Sequence, residues 1–148
     1  AELDAQGLAF DEQLVFNGES FGLVCAMKDH QTGKWNFPEM VIDRVIDQLV
    51  RDNNADAIVG HDDFWAAALL RRLRARGIHV PGDVAVVGYS NHYLTDWTDP
   101  PLTTLDLSHE AAARQMVLML ERMIDGGELP PDERRVMIQP RLIVREST

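Results

Sequence analysis

The stretch that most constrains the fold of this chain runs from Val80 to Thr104 and reads VPGDVAVVGYSNHYLTDWTDPPLTT. It starts with a Pro-Gly-Asp turn signal, since proline presets φ and glycine accepts conformations that other residues avoid. The apolar, β-branched run 84–87 follows and is typical of a strand buried on both faces of a parallel sheet. Polar residues come next, at the point where an open α/β sheet binds its ligands. This stretch predicts an α/β fold whose functional site lies beyond the carboxyl end of the strand.

Composition narrows the class of protein. With 148 residues, of which 45% are hydrophobic, the chain is long enough for one domain with a sizeable core. The formal net charge of −10 argues against this part of a protein binding nucleic acid, which requires a basic face. Cys25 is the single cysteine, so neither a disulfide framework nor a thiolate zinc cluster is predicted. No membrane span or targeting segment is predicted, and we expect a cytoplasmic location.

Strands and helices alternate along the chain, which predicts a parallel sheet flanked by helices. Asp63 and Ser108 are the predicted N-caps of the second and third helices. Pro140 predicts an edge or bulge position for the last strand. The predicted elements are a strand at 14–16, a long loop at 19–37, a helix opened by Pro38 and stopped by Asn53, a strand at 55–60, a helix from Asp63 to Gly77, the strand 84–87, extended structure at 102–105, a helix from Ser108 to Asp125 and a closing strand at 136–144.

Two charged clusters have alternative interpretations. His61-Asp62-Asp63 follows a predicted strand and could serve a metal or acid–base site, but adjacent residues leaving a strand point in different directions. The sequence has no phosphate loop, nucleophile elbow or zinc-helix motif, so no enzyme, catalytic residue, metal or cofactor is predicted. The second cluster contains four arginines, which we interpret as a solvated helix end, where cations are favoured: Arg71, Arg72, Arg74 and Arg76.

A ligand-binding interpretation uses two neighbouring strand exits. The segments 60–62 and 90–92 deliver short polar side chains to one edge of the sheet, which suits a ligand with several hydroxyl groups. The ring of Trp35 either covers the apolar face of such a ligand or anchors the loop 19–37 to the core. The alternative for Asp62, Ser90 and Asn91 is that they satisfy loop backbone groups.

The segment from Ala55 to Leu107, with the later QPRLIVREST, resembles the carboxyl half of a LacI/GalR-family transcription regulator. The resemblance depends on an aspartate opening a helix, the Pro-Gly turn before a strand, Gly88-Tyr89 and the run Pro101-Leu102-Thr103-Thr104, in that order. It covers roughly the whole chain. It implies one lobe of a periplasmic-binding-protein-like fold that senses a sugar-like effector, in a regulator, expected to be a repressor, whose amino-terminal helix-turn-helix binds operator DNA. The alternatives are a periplasmic solute-binding protein of the same fold and, less favoured, a metal-dependent hydrolase that uses His61, Asp62 and Asp63.

The resemblance also assigns site residues. Asp62 falls where relatives place an effector-contacting asparagine or another small residue. Ser90 falls on an aspartate that usually binds ligand hydroxyls; because serine cannot make the bidentate contact, Asn91 or His61 is expected to replace it. His109 aligns with a position near the ligand in some relatives. With Phe21 or Trp35 as the expected aromatic, the candidate ligand-binding residues are His61, Asp62, Ser90, Asn91, Phe21, Trp35 and His109.

The resemblance further implies a homodimer contact at 94–102, formed by Trp97, Thr98, Pro100 and Leu102. It divides the chain into the carboxyl lobe at 1–105, a helix and linker at 106–134 that pack on another lobe, and a closing strand at 135–148. The opening residues read as the end of a helix, so we expect the chain to start inside a longer protein. Without the other lobe, the apolar face of the third helix is expected to be exposed and to drive association or domain exchange: Met116, Met119, Leu120 and Met123.

Overall fold

The computed structural model describes residues 11, 14–15, 27–28, 35–36, 39–130 and 133–148. Within these ranges the elements are β1 Met27–Lys28, β2 Trp35–Asn36, α1 Glu39–Ile46 continuing as a π-helical segment Asp47–Asp52, β3 Ala57–Val59, α2 Asp63–Ala75, β4 Ala85–Tyr89, a 3-10 helix Tyr93–Asp96, β5 Thr103–Asp106, α3 His109–Ile124 and β6 Arg141–Ile143. None of the described helices combines the length and apolar character needed to cross a bilayer.

The main sheet has the order β3-β4-β5-β6. The pairs β3–β4 and β4–β5 are parallel, as the alternation of strands and helices predicts. β6 runs antiparallel to β5 at the edge of this sheet, directly after Pro140, and it is shorter than the predicted strand 136–144. The carboxyl ends of β4 and β5 therefore lie side by side, which is the arrangement that gathers polar side chains at one edge.

The core lies where α1, α2 and the sheet meet. The apolar stripe predicted for the first helix is confirmed, because its valines and isoleucines are buried. Each fully buried aliphatic side chain stabilises the fold by about 1.5–3 kcal/mol. The cluster contains Ile42, Val45, Ile46, Leu49, Ile58, Trp65, Ala66, Leu69, Leu70, Leu73, Val84, Val86 and Leu102.

Several local predictions are wrong. Leu14 and Val15 are not in a strand, and Phe16 lies outside the described residues. The predicted loop 19–37 contains the short antiparallel pair β1–β2. The N-cap of α2 is Asp62, whose Oδ1 accepts a hydrogen bond from the Trp65 amide at 2.6 Å, and Asp63 is instead the first helical residue.

Ser108 is the N-cap residue of α3, which confirms its predicted position. It has a left-handed conformation, however, and its side chain makes no capping hydrogen bond. The amide of Ser108 donates to Asp106 Oδ1 at 2.8 Å. The acceptor in this turn is therefore the aspartate at the end of β5.

Two residues of the arginine cluster, Arg72 and Arg76, make ion pairs with another helical segment. Arg72 makes two hydrogen bonds of 2.7 Å to the Asp43 carboxylate, and Arg76 Nη2 lies 2.5 Å from Asp47 Oδ1. These partners are one turn apart on α1 and its π-helical continuation. The two arginines therefore join α2 to α1, which corrects the interpretation of a purely solvated face.

Helix α3 is the least buried helix of the described part. None of its sixteen residues is buried. Its apolar side chains are largely exposed; they include Met116, Val117, Leu120, Met123 and Ile124, whereas Met119, also predicted to be exposed, is partly buried.

Candidate functional site

The loop that leaves β4 turns sharply at the edge of the sheet. Ser90 and Asn91 both have positive φ, 111° and 53°. Their amides are held by β5: Ser90 N donates to Leu105 O at 2.9 Å, and Asn91 N donates to Thr104 Oγ1 at 3.2 Å. The two residues are thus fixed where β4 and β5 end.

Asp63 supports this loop from inside the fold. Its carboxylate is buried and accepts from the His92 amide at Oδ2 and from Thr104 Oγ1 at Oδ1, both at 2.6 Å. One side chain therefore connects the start of α2, the β4 exit loop and β5. Gly88 leaves the necessary room, because a Cβ at that position would lie 2.3 Å from Asp63 Oδ1.

A polar cleft of about 670 Å³ opens beyond the carboxyl ends of β4 and β5, next to the start of α3. We call it the carboxyl-edge cleft. It brings together three of the candidate ligand-binding residues, Ser90, Asn91 and His109. The other polar residues that line it are Asp106, Ser108, Glu110, Arg114, Gln115 and Arg141.

Asp106 is one of the cleft residues that the sequence did not identify as ligand-binding candidates. The amide of Ser108 holds the pKa of the Asp106 carboxyl below its ordinary value, and the guanidinium of Arg141 and the side chain of Asn91 act in the same direction. An ionised carboxylate can accept two hydrogen bonds from neighbouring hydroxyls. The signal was available in the sequence, since Asp106 follows a predicted strand just as Ser90 does.

His61 and Asp62 lie at the exit of β3, apart from these residues. His61 Nε2 is 3.0 Å from Asp62 Oδ2, and the His61 ring centroid is 6.1 Å from that of Trp65. His61 lines a second, more apolar cleft of about 590 Å³ beside β3. Because Asp63 binds Thr104 and the loop amide, the three residues 61–63 do not converge on one point.

The two aromatic candidates cannot be placed in either cleft. Phe21 lies outside the described residues, and for Trp35 the described residues include only the backbone of β2. Their part in ligand binding stays a prediction.

The candidate dimer residues differ in exposure. Trp97 is 85% exposed, and Tyr93, one 3-10 turn earlier, is 76% exposed. Thr98 and Pro100 are partly buried, and Thr98 Oγ1 donates to Thr95 O. Leu102 is completely buried in the core, so its side chain is not available to a partner subunit, which corrects its assignment.

Known proteins share this fold and parts of this sequence. The family model of the periplasmic binding protein-like domain matches residues 19–148. The HTH-type transcriptional regulator CelR of Thermobifida fusca is 33% identical over 145 residues, which are 97% of this chain and 37% of CelR.

Two solved structures of sugar complexes are also similar. A CelR–cellobiose complex has a TM-score of 0.69 and 30% identity, covering 99% of this chain and 39% of that chain. A LacI-family regulator of Arthrobacter sp. FB24 in complex with lactose has a TM-score of 0.65 and 28% identity. The match covers 74% of this chain and 42% of that chain. The present chain thus spans less than half the length of each of these relatives. With the family match over 19–148, these likenesses establish that the chain belongs to the periplasmic binding protein-like family, in its LacI/GalR branch.

Proposed function

We propose that this chain is the effector-binding and dimerising part of a LacI/GalR-type transcriptional regulator, and that a sugar or sugar derivative occupies the carboxyl-edge cleft. The observation that carries the proposal is the convergence of Ser90, Asn91, Asp106 and His109 on one polar cleft. Relatives whose structures contain cellobiose or lactose support a sugar as the class of ligand.

Asp106 is the proposed main acceptor for ligand hydroxyls. Its carboxylate is ionised at neutral pH and offers the bidentate geometry that the Ser90 hydroxyl lacks. Asn91 adds an amide group beside it, and His109 a ring at the start of α3. His61 and Asp62, at the neighbouring strand exit, are proposed to contact a more distant part of the ligand, with Trp35 or Phe21 covering its apolar face.

Calorimetric titration with cellobiose, and then with lactose, tests the ligand site. We expect saturable binding to the wild-type protein and an affinity about 10-fold lower in Asp106→Asn, which corresponds to about 1.4 kcal/mol. The matched control is Asp99→Asn, an exposed aspartate paired with Arg74, which should bind like the wild type. Equal affinities for all three proteins, or no binding of either sugar, would contradict the proposal.

The proposed mechanism requires no catalysis. A ligand that binds one arrangement of two lobes more tightly shifts the equilibrium toward it, and this shift changes the affinity of a linked DNA-binding domain for its operator. Operator DNA is contacted through an amino-terminal helix-turn-helix, not through this acidic chain. The protein acts in the cytoplasm, as a repressor.

A periplasmic solute-binding protein is the second candidate, because it shares the family fold. The coding sequence upstream of Ala1 distinguishes the two. A basic helix-turn-helix followed by a second α/β lobe supports the regulator, whereas a secretory signal before such a lobe supports the solute-binding protein.

The homodimer contact is proposed to centre on Trp97. An aromatic cluster with two exposed rings, Phe64 and Tyr93, lies around His92, five residues before Trp97 in the chain: the His92 ring lies 4.5 Å from Phe64 and 4.3 Å from Tyr93, measured between centroids. Exposed aromatic clusters of this kind mark protein interfaces. Sedimentation equilibrium should show a dimer dissociation constant at least about 10-fold higher in Trp97→Ala. The control Met137→Ala removes an equally exposed apolar side chain on another segment; an effect equal to that of Trp97→Ala would contradict the assignment.

A further inference from the structure

Arg145 lies just after β6, and each of its three guanidinium nitrogens donates a hydrogen bond. Nη2 donates to Asn91 Oδ1 at 3.2 Å, Nε to Asp96 Oδ1 at 2.7 Å and Nη1 to Leu102 O at 2.9 Å. Its amide also donates to Thr103 Oγ1 at 2.8 Å. The side chain is only 16% exposed. Arg145 therefore connects the β4 exit loop, the 3-10 helix and the start of β5.

The contact with Asn91 determines how that amide is oriented. The oxygen of Asn91 accepts from Arg145 Nη2, so the NH₂ group of the amide points away from the guanidinium. Rotating the amide by half a turn would place its NH₂ group against the guanidinium, where two donors would face each other. That contact would then be repulsive, so Arg145 allows one orientation of the Asn91 amide.

We infer that Arg145 is a positioning residue for the carboxyl-edge cleft, holding the Asn91 amide in the orientation that a hydroxylated ligand meets. The inference rests on the proposed function, since it assigns Asn91 to ligand binding. Arg145 does not itself line the cleft. It acts through Asn91, and Asp96 and the Leu102 carbonyl keep its guanidinium in place.

Lysine cannot replace arginine in this role. A guanidinium is a planar fork that serves three acceptors in fixed directions, whereas an ammonium group is a compact charge on a flexible stem. Arg145→Lys therefore keeps the charge but loses the geometry that fixes Asn91. A loss of ligand affinity in this variant would therefore come from the lost positioning of Asn91 and not from a lost charge.

A double-mutant cycle with cellobiose as the probe tests the inference. We expect Arg145→Lys to weaken binding about 5- to 10-fold, Asn91→Ala to weaken it at least as much, and the double variant to bind like Asn91→Ala alone. The control Arg134→Lys, which also replaces an arginine that donates to a backbone carbonyl, should leave affinity unchanged. Additive losses in the double variant would show that Arg145 acts on general structure and would overturn the inference.

A measurement without ligand keeps the inference separate from the proposed function. The Asn91 side-chain NH₂ group should have a ¹⁵N order parameter of about 0.85 in the wild type and below about 0.6 in Arg145→Lys. If no sugar binds the wild type, the proposed function fails. The order parameter still shows whether Arg145 holds the Asn91 amide in place. An unchanged order parameter would overturn the inference even if sugar binds.

Discussion

Helices α2 and α3 have similar amphipathic sequences but different surroundings. Six residues of α2 are buried, among them Leu69 and Leu73, whereas no residue of α3 is buried. α2 packs on α1 and β4, and two arginine–aspartate contacts add to that packing. An apolar stripe therefore predicts that a face is to be covered, but it does not identify the element that covers it.

The comparison separates a helix whose side chains stabilise this chain from a helix whose apolar face is left exposed. Side chains on α2 contribute to the free energy of unfolding of the chain itself. Apolar side chains on α3 are available for another lobe or a second copy, and their contribution depends on that contact. Substitutions on the two helices, and at the contacts around them, therefore test this difference.

The largest expected effect comes from comparing one leucine from each helix. Leu73→Ala should lower the free energy of unfolding by about 2–5 kcal/mol, because it leaves a cavity in the core. Leu120→Ala on α3 should change it by less than about 0.5 kcal/mol. Urea unfolding followed by circular dichroism measures both; comparable losses would show that α3 belongs to the same cooperative core.

The second prediction concerns the glycine beside Asp63. Gly88→Ala should lower the free energy of unfolding by about 1–3 kcal/mol, because its Cβ would clash with Asp63 Oδ1 and with Leu102. Gly82→Ala is the matched control, since its Cβ would meet only the His79 Cβ at 3.7 Å. Equal melting temperatures for Gly88→Ala and the wild type would contradict the close packing around Asp63.

The third prediction concerns association through α3. The exposed apolar face should drive dimerisation or domain exchange of this chain at high concentration. Leu120→Glu should reduce the association constant about 10-fold, because a charge replaces an apolar contact. Leu118 serves as the control position, since Leu118→Glu lies on a different side of the helix and should have a smaller effect. A wild-type monomer in sedimentation at high concentration would count against this expectation.

The smallest predicted effect is a dependence of stability on pH. Arg72 lowers the pKa of Asp43 chiefly through its side-chain hydrogen bonds, with Arg76 contributing as well. A depressed carboxyl pKa stabilises the fold above the pKa of the unfolded chain, and this stabilisation is lost as the pH falls below about 4 through the folded value. Asp43→Asn should therefore lose less stability than the wild type between about pH 6 and about pH 3, in urea titrations at both values. Equal losses of stability in Asp43→Asn and the wild type would show that the Asp43–Arg72 pair does not contribute to this pH dependence.

Local patterns predicted the parallel sheet and the helical stripes, and they placed Ser90 and Asn91 at the carboxyl edge of that sheet, whereas only the family resemblance assigned His109 to the ligand site. They did not predict the ion pair between Asp106 and Arg141 in the cleft. Arg141 reaches Asp106 because the antiparallel register of β5 and β6 makes the two residues partners across the sheet, over a separation of 35 residues. No local periodicity encodes such a register.

The tandem aspartates at the start of α2 show a second limit. Asp62 and Asp63 have the same chemistry, so sequence alone could not determine which one caps the helix. The choice depends on tertiary partners, since Thr104 and the His92 amide bind Asp63 inside the fold. Similarly, the partners of Arg72 and Arg76 lie on another helix, about 30 residues away in sequence, where no local pattern could identify them.

The most direct test of the proposed ligand site is a titration of the ¹⁵N-labelled protein with cellobiose, followed by backbone amide chemical shifts. If the carboxyl-edge cleft is the effector site, the largest changes should fall at Ser90, Asn91 and the segment 106–110, and they should saturate. Changes confined to the cleft beside β3, around His61 and Trp65, or no saturable change at all, would show that the carboxyl-edge cleft is not the effector site.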